Sequence, residues 1–166
     1  ATTGIDLDAT VARADLSVSG TGSIILDEQD AINLTSLSAI NGSITVDAGG
    51  AITATIVNSS VGNKDISLTT TSGDITGVET VNAGTGNVAL TSAGAISDDG
   101  DPSTVITAGV LTGSAAGAIT VDTTVASATL TTSAAGAIDL DETDAITLTS
   151  LSANNGSITV DAGGVI

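Results

Sequence analysis

Phenylalanine, tyrosine, tryptophan, methionine, histidine and cysteine are all missing from this 166-residue chain, and proline occurs once, at Pro102. Each absence excludes something. Without cysteine there is no disulfide, thiol nucleophile or thiolate metal site. Without histidine, most general-base and nucleophile-activating schemes are gone. Without aromatics the chain lacks the usual fillers of an irregular core and the girdles of an outer-membrane barrel. No apolar run approaches the ~20 residues that a membrane-spanning helix needs. Positive charge is nearly absent as well: Arg13 and Lys64 stand against 19 Asp and Glu, a formal charge of −17. Such a surface repels phosphates and anionic lipid, so neither nucleic acid nor membrane insertion is expected. It also keeps a long polymer soluble.

What is present is aliphatic and repetitive. Hydrophobic residues make up 41 % of the chain, as in an ordinary globular protein rather than a disordered acidic tail. A core of Ile, Val, Leu and Ala alone suits a narrow interior of constant cross-section. The decapeptide NGSITVDAGG occurs at 41–50 and again at 155–164. Widening the comparison, LDEQDAINLTSLSAINGSITVDAGGAI (26–52) and LDETDAITLTSLSANNGSITVDAGGVI (140–166) differ at four positions. Residues 1–114 therefore read as one superrepeat and 115–166 as part of a second. The sequence breaks off at a point where the first copy continues with TATIVNSS (53–60), so it is expected to be a window on a longer tandem array.

A shorter unit recurs inside the long one: a small residue, Ile or Val, any residue, then an aliphatic. It appears as GIDL (4–7), GSIIL (22–26), GSITV (42–46), KDISL (64–68), GNVAL (86–90), GAITV (117–121), GAIDL (136–140) and GSITV (156–160). The leading aliphatics, Ile5, Ile24, Ile44, Ile66, Val88, Ile119, Ile138 and Ile158, are spaced 19, 20, 22, 22, 31, 19 and 20 apart. A second unit follows in most steps, as in AINL (31–34), and a third closes many, as in LTSLSA (34–39). Alternation of aliphatic with Thr, Ser or Asp marks half-buried strands, while Gly and β-branched residues disfavour helix.

Three short strands in each step of about 20 residues predict an all-β, single-stranded parallel β-helix, one step per coil. The ladders Ile5/Ile24/Ile44/Ile66/Val88 and Leu7/Leu26/Val46/Leu68/Leu90 are expected inside, with Thr, Ser and Asp outside. Gly22, Gly42, Gly136 and Gly156 are expected to supply corner conformations. Five coils at ~4.8 Å each make a superrepeat of roughly 24 Å. The 31-residue step is expected to hold a surface loop, SDDGDPST (97–104).

Coils of the form G-S/A-I-x-V/L followed by G/D-A-I-x-L, lacking aromatics and cysteine, resemble the repeat regions of filamentous-haemagglutinin-like large exoproteins. The resemblance runs over essentially the whole chain and implies a right-handed β-helix. It also implies a secreted or cell-surface bacterial adhesin.

Aspartates follow the second inward aliphatic at Asp8, Asp27, Asp47, Asp122, Asp141 and Asp161. In register they would stack ~4.8 Å apart, where like charges repel and raise one another's pKa or recruit a cation. Calcium, which accepts several oxygens in loose geometry, suits such a column. The candidate ligands are Asp27, Glu28, Asp30, Asp47, Asp141, Glu142, Asp144 and Asp161; a solvated acidic edge is the plainer reading. Catalysis is not expected: carboxylate pairs exist, but a site is needed once, whereas DETD (141–144) echoes DEQD (27–30). T-x-T pairs at Thr53/Thr55, Thr129/Thr131 and Thr147/Thr149, with Asn33/Thr35, resemble the arrays of ice-binding β-solenoids, although Thr also simply suits an exposed strand.

The expected role is thus the structural shaft of a giant extracellular fibre or adhesin, with calcium as its one candidate cofactor. Its partners would be adjacent repeats, other copies of itself, or a surface receptor or glycan met through 97–104. A self-assembling matrix or appendage filament is the alternative, and an ice-binding solenoid a further one.

Overall fold

A computed structural model, which describes residue 1 and residues 3–166, contains seventeen strands and no helix among the described residues. Every strand pairs in parallel with its neighbours one coil away, on both sides except for the first two strands and the last two, which pair on one side only. Parallel partners need a crossover of a dozen or more residues. Here the crossover is the rest of the coil, and no helix is required. The architecture is the β-solenoid that the periodicity predicts.

Three faces enclose the core. On the first, eight rungs stack: 5–9, 24–28, 44–48, 66–70, 87–92, 110–115, 127–132 and 147–152. The inward column begins Ile5–Ile24–Ile44–Ile66–Val88, as expected, and Leu7–Leu26–Val46–Leu68–Leu90 runs beside it. The second face stacks Ile32, Ile52, Ile75, Ile96, Ile119, Ile138 and Ile158. The third carries Leu16, Leu37, Val57, Val81 and Ile106. Alternation puts these side chains inside; Ile24, Leu26, Leu37, Ile44, Ile52 and Leu68 are fully buried. Burying an aliphatic side chain of this size stabilises by about 1.5–3 kcal/mol, and the columns repeat that gain coil after coil. The inward aliphatics of the outermost rungs lack one stacked neighbour. Leu7 is 40 % exposed and Ile158 45 %, while their register partners Leu26 and Ile138 are at 0 %.

The 31-residue step does not exist as a coil. Val88 stacks on Leu111, not on Ile119, and Ile119 stacks on Ile96 of the second face. The unit GAITV (117–121) has the pattern of a first-face strand but lies on the second face. The reason is chain length. Residues 106–115, read as part of a long loop step, form a strand of their own that serves the third face and then the first. The loop itself shrinks to 99–105, between Asp98 and Ile106. One superrepeat therefore spans five coils plus one face: Ile5 is on the first face and its equivalent Ile119 on the second. Asp27 and Asp141 are displaced in the same way.

The corner glycines also differ from expectation. Gly22, Gly42, Gly136 and Gly156 do not have a positive φ. They are needed because coils touch there: a Cβ on Gly42 would lie 2.0 Å from the Gly22 carbonyl oxygen, and one on Gly156 2.1 Å from that of Gly136. Glycine is used for close approach of backbone to backbone, not for left-handed conformation.

Candidate functional site

The expected aspartate columns form. Asp8, Asp27 and Asp47 are in register on the first face, followed by Thr69; Asp122, Asp141 and Asp161 are in register on the second. Strand geometry sets the backbones of neighbouring aspartates in a column about 4.8 Å apart. In the second column burial and neighbouring charge act together on two of the carboxyl groups. Partial burial pushes the Asp122 carboxyl above its ordinary value, helped by the charges of Asp98, Asp141, Asp99 and Asp139. Burial likewise raises Asp141, with Asp139, Asp161 and Asp98 contributing.

Loop 99–105 overhangs this column. Pro102 and Val105 form one wall of an open groove of about 370 Å³ whose other wall includes Asp122, Asp141 and Asp161. The acids of the loop are used internally. Gly100 N–H donates to Asp98 Oδ1 (3.0 Å), Asp101 N–H to Asp99 Oδ1 (3.1 Å) and Ser103 N–H to Asp101 Oδ1 (2.9 Å). The Thr104 hydroxyl closes the loop onto Asp99 Oδ1 at 2.7 Å. The Ser103 bonds hold the Asp101 carboxyl below its ordinary value.

Glu28 and Glu142 turn inward. Both are 4 % exposed. Glu28 Oε2 accepts the backbone N–H of Val11 at 2.9 Å, and Oε1 that of Asp30 at 3.3 Å. Glu142 repeats this with Val125 (3.0 Å) and Asp144 (3.3 Å), and also accepts the Thr123 hydroxyl at 2.8 Å. Each carboxylate thus reaches back one coil to satisfy an amide at a corner where the ladder lapses. Small neighbours in register give it room: Ala9 and Ala48 around Glu28, Thr123 and Ala162 around Glu142. The latch recurs with the superrepeat, and like the aspartates it moves round by one face.

Among the eight proposed calcium ligands, then, Asp27 with Asp47 and Asp141 with Asp161 are brought together as column neighbours. Asp30 and Asp144 sit exposed at corners, and Glu28 and Glu142 are engaged with backbone amides. Among the described residues no three acidic side chains converge to hold a metal ion. Calcium takes six to eight oxygens, so a column would give it two carboxylates and leave the rest to water.

Further polar side chains hold the corners of the coils. Thr70, Ser92 and Thr132 lie buried at the end of first-face strands and hold the next corner. The Thr70 hydroxyl donates to the Gly73 carbonyl (3.0 Å), that of Ser92 to Ala95 (2.9 Å) and that of Thr132 to Gly136 (3.1 Å). The available clue was their register with Glu28 and Ala48, inward positions where a polar residue must have a partner. Asp65 and Asp74 clamp the following coil by accepting from Asn87 N–H (2.8 Å) and Ala95 N–H (2.7 Å).

The T-x-T pairs do not form one row. Asn33 and Thr53 stack on the second face with Thr76, Thr129 and Thr131 lie on the first, and Thr149 falls in a register irregularity. A more regular array arises instead from mixed residues. The outward positions of the last five first-face rungs are Ser67/Thr69, Ala89/Thr91, Thr112/Ser114, Thr129/Thr131 and Ser150/Ser152.

Fold and side-chain placement define a β-solenoid repeat protein with an aliphatic interior, aspartate columns and one hydroxyl-rich face. The chain matches no family model, and no curated protein or solved structure matches it at a significant level.

Proposed function

We propose that this chain is part of the structural shaft of a secreted or cell-surface bacterial fibre, of the filamentous-haemagglutinin-like kind that its repeats resemble. The observation that supports the reading is the parallel stacking of eight first-face rungs over buried aliphatic columns, with one register shift, between Ala128 and Thr129. A rod of this kind gains stability as a sum of nearest-neighbour terms and lengthens by adding coils. No catalytic step belongs to the proposal. Its partners are adjacent repeats or further copies, and a receptor or glycan would be met at loop 99–105, the feature that departs most from the regular surface. Calcium enters as a water-sharing counter-ion of the Asp122–Asp141–Asp161 column. Immunogold labelling of producing cells with an antibody to this segment tests the proposal: label along surface fibres is expected, and label confined to the cytoplasm overturns it. An appendage built from separate subunits would differ in one respect: the purified chain would form filaments unaided.

A second reading is favoured by the hydroxyl face. Its outward pairs make a two-dimensional array, about 4.8 Å between rungs and roughly 6.7 Å along a strand, free of charge over five rungs. Ordered water at an ice surface is a ligand for such an array. Recrystallisation of ice in the presence of the protein decides it: growth unchanged from buffer ends this reading.

A further inference from the structure

Outward positions on the first face, read rung by rung, are Asp6/Asp8, Ile25/Asp27 and Thr45/Asp47, followed by the five uncharged pairs beginning at Ser67/Thr69. The second face has the reverse order. Arg13, Asn33, Thr53, Thr76 and Ser97 come first, and the acidic rungs Thr120/Asp122, Asp139/Asp141 and Thr159/Asp161 come last. The two acidic patches are copies of one sequence element, carried to different sides because the superrepeat exceeds five coils by one face.

We infer that this one-face slip places an electrostatic guard on each of two faces of the rod, so that copies of this chain are kept from packing side by side through the first or the second face. A flat parallel sheet of small side chains offers wide contact to an identical neighbour, and Ile25, outward and 39 % exposed, adds an apolar point to it. Charge on the flat surface is the usual defence against such association. Were the superrepeat five whole coils, both aspartate columns would fall on the first face and the second would be bare. The slip gives the first and the second face a column each. Two copies meeting in parallel through either face bring like columns together, and repulsion between them acts over about a Debye length, ~10 Å at 0.1 M salt. This inference concerns approach between rods and is independent of whether the rod is a shaft.

Position of charge, not its sum, is the testable content. Three triple variants each remove three negative charges: Asp8, Asp27 and Asp47→Asn on the first face; Asp122, Asp141 and Asp161→Asn on the second; and Asp30, Asp74 and Asp144→Asn at exposed corners. Static light scattering at low salt reads the second virial coefficient, with circular dichroism to confirm the fold. Both column variants are expected to swing from repulsion to attraction and form dimers and larger species, while the corner variant stays repulsive and monomeric. Equal behaviour of all three, or no attraction in either column variant, overturns the inference. Should one column variant fail to fold, the other carries the comparison.

Discussion

Residues 41–50 and 155–164 are the same ten letters, yet they occupy different surroundings. In the first copy Ile44 and Val46 are fully buried first-face residues, stacked between Ile24 and Ile66 and between Leu26 and Leu68. In the second, Ile158 and Val160 lie on the second face, with Ile138 and Leu140 on one side only. Identical sequence thus guarantees a strand, an inward Ile, an outward Asp and a glycine corner. It does not guarantee a face. That is set by how many residues the preceding coils consume, a count that local pattern does not contain. Energy follows the neighbours, not the letters.

The sharpest way to break the comparison is to truncate the same residue in both copies. Ile44→Ala removes a fully buried side chain and is expected to cost about 2–5 kcal/mol in denaturant unfolding. Ile158→Ala, at 45 % exposure, is expected to cost less than about half as much. Equal losses would mean that the two strands are stacked alike.

A smaller effect is expected from the buried glutamates. Glu142→Ala orphans the Val125 amide and the Thr123 hydroxyl in a buried setting, and should lower stability by roughly 1–3 kcal/mol. Glu28→Ala orphans the half-buried Val11 amide and should fall at the lower end of that range. Hydrogen exchange at Val11 and Val125 checks the assignment, since each variant should deprotect its own partner.

The aspartate columns come next in size. A carboxyl whose pKa is raised in the folded state binds its proton more tightly there than in the unfolded chain. Asp122 and Asp141 therefore contribute most favourably below the unfolded value of 3.8, and that contribution is lost as pH rises through the raised folded pKa. Asp122→Asn or Asp141→Asn should raise the melting temperature slightly at neutral pH, and the gain should vanish on titrating to pH 3.8 and below. Asp101 has the opposite sign: its lowered pKa gives stability that is present above 3.8 and lost as pH falls through the folded value. Least of all is expected from metal. With two carboxylates per ion at most, millimolar calcium should shift melting by a degree or two beyond matched magnesium, and a shift of ten degrees would point to a chelating site that the side chains do not form.

Much of this fold was legible from residues alone. Alternation of Ile or Val with Thr, Ser or Asp located the strands, and the ladder from Ile5 to Val88 follows from spacing because its coils differ by only a few residues. Legibility ended at Leu111. There the strand 106–115 reads as VITAGVLTGSAA in its surroundings, without the small-Ile-x-aliphatic signature, and a better match at 117–121 drew the ladder to the wrong face. Stacking rewards the coil length that keeps Ile96 over Ile119, even though Leu111 then succeeds Val88 and Gly113 succeeds Leu90. The candidate site was legible in part. The aspartate columns followed from register, since outward charge at one repeated position must stack. The inward turn of Glu28 and Glu142 did not, because it depends on alanine and threonine one coil away and on an amide left free 17 residues earlier.

The one-face slip can be measured without a crystal. Spin labels on cysteines replacing Thr45 and Ser150 join positions five rungs apart on the first face, and labels at Thr45 and Thr159 join repeat equivalents. Double electron–electron resonance is predicted to give about 24 Å for the first pair, the rise of five rungs, and a clearly longer distance for the second, whose labels diverge across a corner. About 24 Å for Thr45 with Thr159, and a longer distance to Ser150, would contradict the stacking described for this protein.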